Sequence, residues 1–390
     1  MLWSSGWATD RMHVTTAGRI FPPGGMVVAL ALSASLIAAC SPSPRRAPPA
    51  PEEAIPRMEE PAPPPAADEI TVAAVGDIML GTDYPQNILP DDDGVGFLRE
   101  VTPILSAADV AFGNLEGVLM DGGEAVKQCR PGSSCFVFRT PTRYAAYLRD
   151  AGFDVLSLAN NHARDFGEPG IESTIRALDS AGILHSGPEG DVATWITGGR
   201  RMAMIAFAPN VGAHQLNDLQ RAREFVTELA VKHDIVIVSF HGGAEGEGAE
   251  HLPFTREHYF GEDRGNVVEF AHAMVDAGAD LVLGHGPHVL RAMELYRDRL
   301  IAYSLGNFAT YYGISVEGLR GISAILLATL AGDGRFLHGR IVSTVQVRPD
   351  GPRPDEEQRG LHAIRALTEE AFPSGGLAFL ADGAVTRTIP

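Results

Sequence analysis

Short apolar runs alternate with segments of helical periodicity over most of the chain after residue 69. Runs rich in β-branched residues predict strands, and apolar residues spaced three or four apart predict helices. The predicted strands are 70–75, 110–112, 154–159, 202–208, 234–240, 280–284 and 300–305. The predicted helices between them are 141–151, 170–181, 215–233 and 265–277. This alternation predicts an α/β domain whose largely parallel strands are covered by helices on both faces.

The C-terminal part of the chain changes to a different pattern. Two apolar runs, 322–330 and 336–347, lie on either side of a Gly-Asp-Gly turn sequence, which predicts a β-hairpin that closes a second sheet. Residues 355–372 have apolar positions at helical spacing, and the last residues look irregular. We therefore expect a main domain over 69–350, followed by a C-terminal helix and tail over 351–390.

The N-terminal 40 residues read as an export signal. Arg11 and Arg19 precede an apolar run, 26–39, that is too short to span a bilayer comfortably. This run ends in Ile-Ala-Ala before Cys40, which resembles a lipobox. We predict that residues 1–40 are a lipoprotein signal peptide and that Cys40 carries the lipid anchor. The alternative is an ordinary signal peptide with an incidental cysteine.

Residues 41–68 are rich in Pro, Ala and Glu, a composition that cannot bury enough apolar surface to fold. This segment is predicted to be a linker between the membrane and the folded domain, so we expect an exported, membrane-anchored protein of the bacterial cell envelope. The formal net charge of −18 argues against nucleic acid as a partner, because like charges repel. The same charge also opposes an acidic polymer substrate.

The two remaining cysteines lie close together. Cys129 and Cys135 flank the turn-rich sequence Arg-Pro-Gly-Ser-Ser, and exported proteins fold in oxidising compartments. A zinc site would need more Cys or His nearby, and a free thiol fits poorly with export. We predict a disulfide between them.

Metal-type side chains follow five of the predicted strands. They are Asp77, Asn114 with Glu116, Asn161 with His162, His241, and His285 with His288. A single Asp or His at a strand end more often caps a helix or satisfies a local hydrogen bond. Five in succession favour a site for two divalent cations, which needs a bridging carboxylate and further Asp or His ligands. Carboxylate and imidazole ligands suit Mn, Fe, Zn or Mg, so we expect one or two such ions as cofactors.

In this order the motifs resemble those of the calcineurin-like metallophosphoesterases, and in detail those of the CapA, or poly-γ-glutamate capsule biosynthesis, family. The resemblance covers about 69–308 and rests on the following motifs: Gly76-Asp77, Asn114-Leu115-Glu116, Asn160-Asn161-His162, His241, Gly284-His285 with Pro287-His288, and Leu305-Gly306-Asn307-Phe308. It implies a four-layer α/β sandwich in which two mixed β-sheets are flanked by helices.

The resemblance also implies a role for each motif residue. Asp77 and His288 would hold one metal, Asn161, His241 and His285 the other, and Glu116 would bridge them. His162 would contact the scissile group, with Asp165 orienting its ring.

Three further positions have open roles. Glu245 is either a partner of the metal ligands or a solvated loop carboxylate beside Glu247 and Glu250. Arg139 is the preferred substrate contact, whereas Lys127 is expected to belong to a solvated positive loop.

The chain departs from the family and superfamily patterns at some positions. Met79 stands where the superfamily has a histidine ligand, a loss that the CapA family shares. Gly242 and Arg291 replace an aromatic residue and a glutamine, respectively, that we expect of the family. Metal number and substrate preference are therefore left open.

The expected function is that of a CapA-like capsule biosynthesis protein, acting as a metal-dependent hydrolase on a phosphoester or on an amide of an acidic polymer. The alternative is a non-catalytic metal-binding component of a capsule polymer synthesis or export assembly. A scaffold whose motif residues only hold the fold is a third hypothesis. The membrane and, in the first two cases, the capsule machinery are the expected partners.

Overall fold

The computed structural model describes residues 69–128 and 135–388. The predicted signal peptide, the predicted linker over 41–68, Cys40 and Cys129 lie outside these residues, so all of these assignments, with the anchor and the disulfide, stay predictions. Among the helices that are described, none is long and apolar enough to cross a membrane.

The strands of the described residues fall into two large sheets and two small ones. They are β1 (Glu69–Met79), β2 (Val110–Leu115), β3 (Val118–Leu119), β4 (Arg139–Thr140), β5 (Val155–Ser157), β6 (Leu184–Ser186), β7 (Ala193–Thr197), β8 (Arg200–Ala208), β9 (His214–Gln215), β10 (Ile235–His241), β11 (Glu257–Tyr259), β12 (Glu262–Gly265), β13 (Leu281–His285), β14 (Met293–Tyr296), β15 (Arg299–Ala302), β16 (Asn307–Thr310), β17 (Ile322–Ala331), β18 (Phe336–Gln346), β19 (Pro352–Pro354), β20 (Leu377–Phe379) and β21 (Ala384–Arg387). The helices are α1 (Thr102–Leu105), α2 (Tyr144–Asp150), α3 (Gly167–Ala181), α4 (Leu219–Lys232), α5 (Val267–Asp276) and α6 (Arg359–Ala371), with a 3-10 helix at Gly318–Gly321.

The first large sheet is mixed and has β1 near its centre. Its order is β20-β21-β18-β17-β1-β2-β5-β6, with β16 beside β1 and β19 beside β18. Strands β1, β2, β5 and β6 run parallel, whereas β17 pairs with the other side of β1 in antiparallel orientation. The parallel strands bring their carboxyl ends to one edge, where ligands of such sheets are expected.

The second large sheet has the order β14-β15-β13-β10-β8-β7, with β9 beside β8. Its central strands β8, β10, β13 and β15 are parallel. At the two edges of this sheet, β7 pairs with β8 and β14 pairs with β15, both in antiparallel orientation.

Alternate residues of each strand point to opposite faces, which produces four layers. Val72 of β1 and Ile237 of β10 belong to one buried cluster between the two sheets. Ala73, the next residue of β1, packs in the cluster with α2 and α3, and Val238 packs in the cluster with α4 and α5. The four-layer sandwich of two mixed sheets flanked by helices is confirmed.

All seven predicted strands and the four predicted internal helices are present, with ends that differ by a few residues. The predicted C-terminal hairpin also forms, as β17 and β18, and the predicted C-terminal helix is α6.

Two predictions for the C-terminal part are wrong. The β17–β18 hairpin extends the first sheet, because β17 pairs with the free side of β1 from Glu69↔Ala331 to Ala74↔Leu326. The end of the chain is not irregular, since β21 pairs with β18 and buries Val385 completely.

Candidate metal centre

Asp77 lies at the carboxyl end of β1, between two asparagines of neighbouring strands. It is in register with Asn114 of β2 and Asn307 of β16, and Asn114 Nδ2 donates to Asp77 Oδ1 at 2.9 Å. The strand reaches this point through Gly76, where a Cβ would collide with the backbone carbonyl of Gly306. Gly76 therefore lets β1 pass close to the backbone of Gly306, and this close approach places the Asp77 carboxylate at the edge of the sheet.

Three of the predicted ligands lie together at this edge. Ligand atoms of Asp77, Glu116 and His288 are all within 4.8 Å of one another, and within the described ranges this is the one such group of His, Cys, Asp or Glu. His288 Nδ1 lies 2.9 Å from Asn307 Oδ1 and 3.0 Å from Asp77 Oδ2. Its Nε2 faces Glu116 Oε1 at 3.6 Å. A ring held at Nδ1 is oriented to offer Nε2 to a metal.

The pKa values at this edge show how strongly the three groups interact. Burial, opposed by the charge of His288 and reinforced by Asp77 and Glu245, raises the pKa of Glu116 to about 8. Burial lowers the pKa of His288, but the charges of Glu116 and Asp77 outweigh it and raise that pKa to about 10. Burial disfavours the charged form of Asp77, yet the contact with His288 brings its pKa below the ordinary value. The protonation of these three groups is therefore coupled.

The second sheet contributes two histidines from adjacent strands. His241 ends β10 and His285 ends β13, and the two are in direct register. His285 Nε2 lies 3.0 Å from the carbonyl oxygen of Val75, whereas its Nδ1 has only a 3.5 Å contact with Ser239 Oγ. Burial lowers the pKa of both imidazoles. Neutral imidazole is the form that binds a metal.

Several buried atoms of the predicted ligands have no hydrogen-bond partner. They are both carboxylate oxygens of Glu116, Asn161 Oδ1 and both ring nitrogens of His241. An unpaired buried polar atom costs about 1–3 kcal/mol, so a concentration of them needs a physical reason. Their chemistry, oxygen and imidazole nitrogen with no thiolate, is that of a divalent-cation site. The residues present therefore fit such ions.

His162 is held beside this group by Asp165, as predicted. Its Nδ1 lies 2.7 Å from Asp165 Oδ2, and Phe138 packs on the ring with a centroid distance of 4.3 Å. The backbone N–H of Phe138 also donates to Asp165 at 2.8 Å. Burial lowers the pKa of His162, although the carboxylate of Asp165 opposes this effect. The ring is thus fixed at Nδ1, and Nε2 is the nitrogen left for a substrate.

Lys127 does not belong to a solvated loop, so that expectation is wrong. Its Nζ lies 3.1 Å from Asp165 Oδ1 and 3.4 Å from His162 Nδ1, and it donates to the backbone carbonyl of Asn161 at 3.3 Å. The lysine therefore helps to hold both His162 and Asp165 in position.

Glu245 contacts the site and is not a solvated carboxylate. Its side chain is 13% exposed, with Oε1 3.0 Å from Arg264 Nη2 and Oε2 3.8 Å from His288 Nε2. This geometry agrees with the first of the two alternatives drawn from the sequence.

Arg139 is not brought together with the other candidates. Its Nε donates to Asp83 at 2.6 Å, its Nη1 donates to the carbonyl of Gly123, and its guanidinium lies over the rings of Tyr84 and Phe166. These contacts occupy Nε and Nη1 of the guanidinium, and Arg139 does not line the pocket beside His162.

A pocket of about 900 Å³ opens beside His162, Asn161 and His288. Its wall includes Arg264 and Arg320, which the sequence analysis did not single out. Neither follows a predicted strand end, and the segment around 257–265 has no pattern that predicts a site. Only the folded chain brings these cations to the metal ligands.

The side chain of Met79 is buried in a small apolar cluster with Phe138 and Ile314, so it offers nothing to a metal.

A model of the family described as "Bacterial capsule synthesis protein PGA_cap" matches residues 71–312, which is more than half of the chain. The chain belongs to this family. It is 30% identical to the capsule biosynthesis protein CapA of Bacillus anthracis in an alignment of 254 residues that covers 62% of this chain and 60% of that protein. It is also 30% identical to the PGA biosynthesis protein CapA of Bacillus subtilis in an alignment of 258 residues that covers 62% of this chain and 63% of that protein.

The chain thus spans about three fifths of the length of these two relatives. A purple acid phosphatase from yellow lupin seeds aligns in structure with a TM-score of 0.37 and 11% identity, covering 80% of this chain and 57% of that one. A likeness of that size supports no further conclusion. The family match confirms the CapA resemblance read from the motifs.

Proposed function

We propose that this protein is a metal-dependent hydrolase of the cell envelope that acts in capsule biosynthesis of the poly-γ-glutamate type. The observation that supports this most is the set of buried, unpartnered ligand atoms on Glu116, Asn161 and His241 beside an open pocket. Structural metal sites are closed, whereas hydrolytic sites keep open positions beside a substrate pocket.

The residues of the chain would divide the work of hydrolysis. Asp77, Glu116 and His288, with Asn161, His241 and His285, would hold one or two ions of Mn, Fe, Zn or Mg, which supply Lewis acidity at a substrate oxygen when bound. Asp165 accepts the Nδ1 proton of His162, so His162 would give a proton from Nε2 to the leaving group only as the imidazolium. Glu245 would keep Arg264 and His288 in place at the pocket wall.

The proposed location follows from the N-terminal sequence. Lipid attached at Cys40 would bind the protein to the membrane, and the 41–68 linker would let the domain reach polymer or the capsule synthesis and export machinery. Two of the curated relatives are named for capsule or PGA biosynthesis, which agrees with that setting.

A non-catalytic metal-binding component of the same machinery is the second candidate. The buried Met79 favours it, because a site that lacks one ligand can bind metal without being fast in hydrolysis.

Elemental analysis and hydrolysis assays of the purified protein test the proposal. We expect up to two divalent ions per chain, and turnover of bis(p-nitrophenyl) phosphate or of poly-γ-glutamate once Mn, Fe, Zn or Mg is restored. Metal without turnover of either compound would favour the non-catalytic component. Absence of bound metal under all four conditions would overturn both candidates.

A further inference from the structure

The hairpin formed by β11 and β12 contains a residue whose conformation its packing does not explain. Phe260 and Gly261 connect the two strands, with φ angles of 45° and 84°. Two-residue turns with positive φ strongly prefer Asn-Gly or Asp-Gly, and a bulky side chain there is strained. The Phe260 side chain is 77% exposed, and Tyr259 makes the ring contact with it, at a centroid distance of 4.5 Å. Strain that burial does not offset is typical of functional sites.

Phe260 lines the mouth of the metal pocket together with other aromatic rings. Phe136, which is 49% exposed, lines the same pocket and stacks on Phe138 at 6.2 Å with an interplanar angle of 13°. Phe138 in turn packs on His162. Aromatic faces therefore extend from the pocket mouth to the candidate proton donor, a surface that suits a flat or pyranose ring.

The same hairpin brings a buried cation to the pocket. Arg264 is 1% exposed, and its Nε donates to the Gly243 carbonyl at 3.1 Å. Its Nη2 lies 3.0 Å from Glu245 Oε1, and its Nη1 donates to Glu262 Oε2 at 3.4 Å. Arg320 also lines the pocket, where its Nη2 lies 3.9 Å from Glu247 and its buried Nε has no hydrogen-bond partner. Beside the paired Arg264, this unused donor of Arg320 indicates an anionic ligand, because guanidinium pairs well with phosphate oxygens.

The hairpin is fixed in place by a buried ion pair. Arg291 donates to both carboxylate oxygens of Glu257, at 2.9 and 2.7 Å, and to the carbonyl of Ala249 at 2.6 Å. Glu257 also accepts from the N–H of Ala244 at 3.0 Å. The hairpin is therefore a rigid part of the pocket wall, in a position to select a ligand.

We infer that the β11–β12 hairpin recognises a phosphoester attached to a ring, with Phe260 stacking on the ring and Arg320, which lines the same pocket, binding the phosphate. A sugar phosphate and a nucleoside phosphate share this chemistry, whereas a linear γ-glutamyl chain has no ring to stack. The inference specifies the substrate of the proposed hydrolase, but binding can be tested without any turnover.

Calorimetric titration of the full chain, dialysed free of metal, tests the ring and the phosphate separately. Phenyl phosphate is compared with methyl phosphate, which has the same charge and no ring. We expect phenyl phosphate to bind roughly tenfold more tightly, the usual scale of one aromatic stacking contact. Glucose 1-phosphate and uridine monophosphate, titrated in the same way, then distinguish a sugar ring from a base.

Phe260→Asn is the decisive variant, because asparagine tolerates a positive φ and removes the ring. We expect this variant to unfold at the same or a higher temperature and to bind the two esters equally. Phe254→Asn is the matched control, since Phe254 also has a positive φ of 56° and is 47% exposed, but packs against Phe372 outside the pocket wall. The control should keep the preference for phenyl phosphate.

Arg320→Gln should weaken both esters by about the same factor, at least fivefold, because charge-assisted bonds to phosphate are lost whether or not a ring is present. Equal affinity of the wild-type protein for the two esters, or a ring preference that survives Phe260→Asn, would overturn the inference. Ring-dependent binding without turnover would instead leave it standing and contradict the proposed hydrolase.

Discussion

Replacing Glu116 with glutamine perturbs the proposed bridge between the two metals. In the metal-free protein, burial raises the pKa of Glu116 from 4.5 to about 8, although the charge of His288 opposes this effect. Burial lowers the pKa of His288, but the charges of Glu116 and Asp77 raise it to about 10. Both values lie above 7, so this coupled pair of groups holds protons at neutral pH.

Metal ligands must lose these protons before they bind. Each displaced proton makes the metal affinity rise about tenfold for each pH unit below the pKa of its group. Two displaced protons therefore give a slope of about a hundredfold per pH unit as the pH increases from 6 towards 8. Glu116→Gln removes one of these protons and the negative charge. We expect its metal content at pH 7 to fall and the slope to drop to about tenfold per unit.

Competition with a chromogenic chelator from pH 6 to 8, together with elemental analysis, measures both quantities. Glu245→Gln is the control, because Glu245 contacts His288 from the pocket side and is not one of the three gathered ligands. It should lose less metal and keep the wild-type slope. Wild-type slope and content in Glu116→Gln, or equal losses in the two variants, would refute the bridging role.

The same pKa predicts how stability depends on pH. A carboxyl whose folded-state pKa is raised stabilises the metal-free protein below its unfolded pKa, and this contribution is lost as the pH rises through about 8. Thermal unfolding of the metal-free protein should therefore show wild type losing stability relative to Glu116→Gln between about pH 5 and 8. A constant difference over that range would contradict the shifted pKa.

Three further changes have distinct expected outcomes. His162→Ala should keep the metals and, with an identified substrate, reduce turnover by about 10²–10⁴-fold, which elemental analysis and kinetics would show; loss of metal would contradict its assignment to chemistry. Cys40→Ser should abolish acyl labelling in cells and release a soluble or uncleaved form, and unchanged labelling would exclude the anchor. Gly76→Ala should destabilise the protein by about 3 kcal/mol or more in denaturant unfolding, because its Cβ meets the carbonyl of Gly306. Gly190→Ala, which adds a positive-φ strain in open space, should cost only about 1 kcal/mol, and equal costs would show that the close approach does not matter.

The predicted strands and helices agree well with the fold because hydrophobic periodicity and burial coincide along most of the chain. The run at 202–208, for example, is buried throughout in β8. The placement of β17 could not be predicted in this way, because an apolar strand fits either sheet until its partner is known. Its pairing with β1 depends on which side of β1 is free, a property of the assembled sheet.

The candidate metal ligands could be predicted because each follows a strand, and parallel strands bring their carboxyl ends to one edge. The cations in the pocket wall, Arg264 and Arg320, could not be predicted from the sequence. Arg139 looked available in the sequence, but Asp83 engages it in the structure, whereas Arg264 comes from a short hairpin with no amphipathic pattern. Pairing between charged residues depends on contacts that are distant in sequence, such as Arg291 with Glu257.

The candidate metal ligands come from both large sheets, since Asp77 lies near the end of a strand of the first and His241 and His285 end strands of the second. A cation held by both sets would act as a cross-link at one edge of the sandwich, in addition to the apolar contacts between the two sheets. Amide hydrogen exchange at these strand ends should accordingly be faster after metal removal, while the opposite edge stays protected. The supply of metal would then govern how long this protein resists proteases.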